Sequence, residues 1–97
     1  MARYHLSKLA LRDLEEIRRY LTTEASPTVA DHVEDALFEG FEELVRLPWI
    51  GHRHPSVRGA SLLFYSVFNY VIVFRRQEKR IVILRGIHGA RDLGKLF

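Results

Sequence analysis

Near the end of the chain, His88-Gly89-Ala90-Arg91-Asp92 places an imidazole, a guanidinium and a carboxylate in one short segment. Histidine titrates near neutrality, so His88 is suited to give or take a proton. Cleavage of RNA through its 2′-hydroxyl needs a base, cations for the phosphorane-like transition state and an acid for the leaving oxygen. His88 could be that acid or base, with Arg58, Arg85 and Arg91 as the cationic shell. The segment has a structural reading as well. Gly89 would supply a positive φ for a turn, and Asp92 would hydrogen-bond the local backbone. Arg91 would pair with Asp13, Glu15 or Glu16 and clamp the tail to the first helix.

His52-x-His54 is the second feature. Two histidines chelate a metal only when a third and usually a fourth ligand join them. The surrounding loop holds no Asp, Glu or Cys, so these are read as loop histidines, and neither a metal nor a cofactor is expected. No Gly-rich phosphate loop, Gly-x-Ser-x-Gly elbow or zinc-finger spacing occurs.

These side chains need elements to position them. Arg3 to Ser7 reads as a short strand, with Ser7 as a helix N-cap. Ala10, Leu14, Ile17 and Leu21 follow at steps of three and four, the apolar face of a helix that stops near Glu24. Asp13, Glu15, Glu16, Arg18 and Arg19 are placed on its other side. Ser26 caps a second helix with Pro27 in its first turn. Ala30, Val33, Leu37, Phe41 and Leu44 form its stripe, which ends near Arg46. Gly40 inside the stripe suggests a close helix–helix approach. The short connection predicts an antiparallel helical hairpin.

Leu47-Pro48-Trp49-Ile50-Gly51 breaks the helix and opens a loop to about Arg58. Trp49 packs this loop on the core or stands out as an anchor for a partner. Leu62–Tyr65, Tyr70–Arg75 and Arg80–Ile87 are rich in Val, Ile, Phe and Tyr, which favour strands. The order strand, helix, helix, strand, strand, strand gives one α+β domain over residues 1–97, an antiparallel four-stranded sheet packed on an N-terminal helical hairpin. Both faces of the sheet are apolar, whereas a one-sided sheet alternates. The second face is therefore expected to be covered, and only the tail is left to do it. A protein partner is expected there, with homodimerisation as the alternative.

Composition narrows the class. The 97 residues are 47% hydrophobic and 28% charged, enough for a single core. The absence of cysteine excludes a disulfide scaffold and a thiol nucleophile, and suits the cytoplasm, where the chain is expected to reside. The longest largely apolar stretch, Leu62 to Phe74, spans 13 residues, well short of the ~20 that a membrane-spanning helix needs. Charge is uneven. Residues 1–50 hold six Lys/Arg against ten Asp/Glu, and residues 51–97 hold nine against two, so −4 and +7 make the net +3. The basic half could meet nucleic acid or an acidic protein segment.

Ala10-x-x-Asp13-Leu14-x-x-Ile17-x-x-Tyr20, then Pro27, then Leu44-x-x-x-Pro48-x-x-Gly51, then strands closing in Ile83-Leu84-Arg85-Gly86-Ile87 and His88-Gly89-Ala90-Arg91-Asp92, resemble the RelE/ParE toxin superfamily of type II toxin–antitoxin pairs. The His-Gly-x-Arg-Asp ending is most similar to the ParE, or plasmid-stabilisation, branch. The resemblance implies a toxin that inhibits DNA gyrase by binding and blocks replication. It also implies a ParD-like antitoxin that wraps helices and sheet. The RelE branch instead cuts messenger RNA on the ribosome, and an inactive antitoxin-binding relative is the third reading. The tail Leu96-Phe97 lacks the terminal tyrosine of a RelE-type nuclease. The expected antitoxin contacts are Tyr70, Ile72, Phe74, Ile81, Ile83 and Arg85, or their alternates on the opposite face. Toxicity is expected to rest on His88, Arg91, Asp92, Leu96 and Phe97.

Overall fold

In a computed structural model, residues 4–47, 49–54, 57, 61–78 and 80–89 are described. The elements are β1 (Tyr4–Leu6), α1 (Lys8–Glu24), α2 (Pro27–Arg46), β2 (Leu63–Val67), β3 (Tyr70–Gln77) and β4 (Arg80–His88). Both helices begin where the sequence signals them. Ser7 Oγ accepts from the Ala10 N–H at 3.0 Å, and Ser26 Oγ accepts from the Val29 N–H at 3.1 Å. Such caps satisfy amide donors that the first turn leaves open. The helices form the expected hairpin. Arg18 bridges it to Asp31 at 2.7 Å and Glu34 at 3.3 Å, an exposed cluster that adds little stability.

The sheet order is β1-β4-β3-β2. It is mixed rather than wholly antiparallel, because β1 runs parallel to β4. The helical hairpin carries the chain from β1 to β2, and two antiparallel turns through β3 then bring β4 beside β1 in the same direction. The helices cover one face. Ile72, Phe74, Ile81 and Ile83 are buried there with Leu14, Leu37, Phe41 and Leu44. The mid-helix Gly40 serves the helix–sheet contact, not a helix–helix one: a Cβ there would lie 3.0 Å from Val67 Cγ2 and 3.2 Å from Ile72 Cδ1.

The opposite face is also buried in part, and by a different segment from the one expected. Phe64, Val73 and Ile87 form a second cluster with Val57 and Leu62, from the stretch between α2 and β2. That stretch is fixed to the edge of the sheet by a bridge in which His52 and Phe64 exchange backbone hydrogen bonds at 3.0 and 2.8 Å. Trp49 does not pack on the core; it is 70% exposed. The tight β2–β3 and β3–β4 turns use Phe68 (φ 53°) and Glu78 (φ 48°) in the left-handed region, where non-glycine residues are strained.

Gly51 is where this loop meets the core most closely. A Cβ there would lie 2.8 Å from Cε1 of the buried Phe74 ring and closer still to its Cζ. Neither group has room to retreat in a close-packed interior. Gly51→Ala should therefore destabilise by ~1–3 kcal/mol through overpacking. In a domain this size that lowers the melting temperature by ~5–15 °C, measurable by thermal unfolding.

Candidate functional site

β4 carries an irregularity that organises its surroundings. Phe74 pairs with Ile83 and Val73 with Arg85, which leaves Leu84 as the extra residue of a bulge. β1 has ended at Leu6, and the first turns of α1 lie beside β4 in its place. The backbone groups freed at the bulge are met by α1 and its cap. Ser7 Oγ donates to the Leu84 carbonyl at 2.8 Å. Asp13 Oδ2 accepts from the Gly86 N–H at 3.0 Å.

Asp13 accepts two further bonds, from Arg85 Nε at 2.7 Å and Arg85 Nη2 at 3.0 Å, a forked guanidinium–carboxylate pair. The Asp13 side chain is 9% exposed and that of Arg85 22%. The hydrogen bonds to Asp13 hold the Arg85 guanidinium above its ordinary value, against the opposing effect of burial. Asp13 thus sits on the core side of α1, not among the solvent-facing charges. Its spacing carried the signal, since Ala10, Asp13 and Ile17 lie at steps of three and four.

A groove of about 540 Å³ opens beside this pair, with Glu16, Ile17 and Tyr20 of α1 facing Tyr70, Ile87 and His88. The His88 ring stands edge-on to Tyr70, with centroids 5.6 Å apart. Gly89 N–H donates to the Asn69 carbonyl at 2.7 Å, and a Cβ on Gly89 would lie 3.2 Å from that oxygen. Glycine is needed there for close backbone approach and not for a positive φ. Burial raises the Tyr70 phenol above its usual 10.0, and Tyr20 adds to the effect.

The structure thus gathers Tyr70, Arg85 and His88 near one end of β3 and β4. It does not bring Ile72, Phe74, Ile81 and Ile83 to a docking surface. They are at most 4% exposed beneath the helices, because alternation turns them inward. Arg85 is committed to Asp13, so neither an open cationic shell nor an antitoxin ion pair describes it. Arg58, Arg91, Asp92, Leu96 and Phe97 lie outside the described residues. Among the described residues no three of His, Cys, Asp and Glu cluster as metal ligands. The His54 ring instead packs edge-on against Phe64, with centroids 5.7 Å apart. No described helix is long and apolar enough to cross a membrane.

The family model for the ParE toxin of type II toxin–antitoxin systems, parDE, matches residues 4–93. The chain belongs to the ParE toxin family. Its fold is similar to that of a chain of the chromosomal ParDE TA system from P. aeruginosa, with a TM-score of 0.75 and 20% identity over 91% of this chain and 96% of that one. No curated protein matches in sequence. In this toxin the Ala-x-x-Asp-Leu spacing of α1 and the Arg-Gly pair of β4 are two halves of one contact.

Arg75 is among the alternates on the opposite face of the sheet. Arg75 alternates with the inward Phe74, so it stands on the outer face of the sheet opposite Val82. Its Nε is buried and has no hydrogen-bond acceptor.

Asp13→Ala in the toxin should cost ~3 kcal/mol, because it strands a largely buried guanidinium and the Gly86 amide together. Asp13→Asn should cost less, since its carbonyl still meets that amide. Urea unfolding of both variants checks the order.

The Tyr70 phenol has a second consequence. Its folded pKa lies above the unfolded 10.0, so its contribution to stability is complete below pH ~10 and is lost as pH rises through the folded value. The Tyr4 phenol is raised too, by burial and then by Glu42, and acts in the same direction. Tyr70→Phe should flatten the alkaline fall of the urea midpoint as pH rises above ~10, and an equal fall in both proteins would refute this assignment.

Proposed function

We propose that this toxin acts in the cytoplasm by binding DNA gyrase and blocking replication, and that a ParD-like antitoxin neutralises it. The observation that carries the reading is the family match, which runs from β1 past the end of β4. The resemblance of the His88–Asp92 ending to the ParE branch points the same way. So does the fate of Arg85, since a nuclease of the alternative branch would want that guanidinium facing a phosphate rather than held by Asp13. The polarity of the chain suits an antitoxin with an acidic or amphipathic segment, because residues 51–97 hold nine of the 15 Lys/Arg against two Asp/Glu.

The test is a supercoiling and DNA-cleavage assay with purified toxin freed of antitoxin. Inhibition of gyrase with accumulation of linear DNA is expected, and adding the antitoxin should abolish both. Unaltered supercoiling would reject the gyrase reading. Transcript cleavage on translating ribosomes that falls ~10²-fold in His88→Ala would put a nuclease in its place.

A further inference from the structure

We propose that the groove between α1 and the ends of β3 and β4 receives a lysine or arginine side chain of the antitoxin, its charged head at Glu16 and its stem against Tyr20 and Tyr70. This rests on the reading of an antitoxin partner and names the chemistry of one contact with it. The groove is open to a partner. Tyr20 at its rim is 62% exposed, and Glu16, Asn69 and His88 are exposed beside it. Ile17, Leu21 and the buried Ile87 make its lining partly apolar, which suits the aliphatic stem of a long basic side chain.

The charges of the groove say what its occupant carries. Two carboxylates, Asp13 and Glu16, stand against one arginine, Arg85. Asp13 and Arg85 neutralise each other through their forked pair, so Glu16 is the charge left over. Among the described residues Glu16 makes no ion pair, although Arg12 and Arg19 stand one turn away on the same helix. Tyr20 follows Glu16 by four residues and so shares its face of α1. Tyr70 stands across the groove, close enough for the two phenols to affect each other's ionisation. Aromatic rings beside a carboxylate attract a cation, because the ring faces are negative. An acidic segment or a phosphate would meet Glu16 with like charge, and a purely apolar side chain would desolvate it without a partner. The wider charge pattern agrees. Residues 1–50, which include α1, hold ten Asp/Glu against six Lys/Arg, so this side of the toxin matches a basic stretch of its partner as the other half matches an acidic one.

The experiment measures binding of the full-length toxin to the full-length antitoxin encoded with it, by titration calorimetry, for wild type, Glu16→Gln, Glu16→Lys, Tyr20→Phe and Tyr20→Leu. Glu16→Gln should weaken binding about fivefold and make it less sensitive to salt. Glu16→Lys should weaken it further, because like charges then face each other. Tyr20→Phe keeps the ring and should bind as wild type does, whereas Tyr20→Leu keeps only the apolar bulk and should lose about fivefold. Affinity within about twofold of wild type in Glu16→Gln or in Tyr20→Leu overturns the proposal, since the contact is then not one made to a cation. Tighter binding in Glu16→Gln also overturns it and assigns the groove to an acidic segment. Arg91, two residues past Gly89, is the other candidate cation, and melting of the free toxin tests it. If Glu16→Gln and Arg91→Gln lower the melting temperature equally and the double variant lowers it no further, the groove belongs to the chain's own tail and the proposal fails. If wild-type toxin binds no antitoxin, the partner reading itself fails before any variant is compared, and the two failures are thereby distinguished.

Discussion

The arrangement of this domain depends on one carboxylate. Asp13 is buried between α1 and β4 and accepts three hydrogen bonds, two from Arg85 and one from the Gly86 backbone. Each partner explains the others. The bulge at Leu84 turns a backbone amide toward α1, where no strand can meet it. An acid on the helix meets it, and the arginine neutralises that acid in a setting where a lone buried charge would be costly. Ser7 completes the junction by capping α1 and bonding the bulge carbonyl with the same hydroxyl. A 77-residue separation in sequence is thereby closed by a single side chain.

This junction also explains how so short a chain keeps two apolar sheet faces from water. The helical hairpin, fixed to β4 at the bulge, covers one. Val57 and Leu62 pack over part of the other, and His52 is bridged to Phe64 of β2. Neither cover is spare. Gly51 lacks a Cβ because the Phe74 ring occupies that space, and Gly40 lacks one because Val67 and Ile72 do. Core and loop are therefore packed to the same tolerance, as close-packed interiors require.

Much of this was legible in the sequence where local physics decides. Ser7 and Ser26 marked helix starts, the apolar stripes marked both helices, and β-branched runs marked the three C-terminal strands, because caps and periodicity are properties of neighbouring residues. The parallel pairing of β1 was not legible, since it depends on where a crossover returns. Side-chain identity also misled when its partner was distant. Arg85 looked like a functional cation because nothing local announces Asp13, 72 residues earlier. Ile72, Phe74, Ile81 and Ile83 were one of two candidate docking faces, because alternation separates two faces without saying which one the helices take. For Trp49 the sequence left open a place against the core or an exposed anchor, and it is exposed, since a loop's packing depends on anchor points that its own residues do not announce.

The exchange of roles between Arg85 and Arg75 follows from the bulge. Without Leu84 as an extra residue, Ile81, Ile83 and Arg85 would alternate unbroken onto the face that the helices cover. The bulge moves it to the edge of β4, where α1 offers Asp13. Arg75 lies on the neighbouring strand on the other side of the irregularity, against Val82, and no element of the described chain brings it a carboxylate. One arginine is thus used to close the fold, and the other is left with a buried Nε that no acceptor meets.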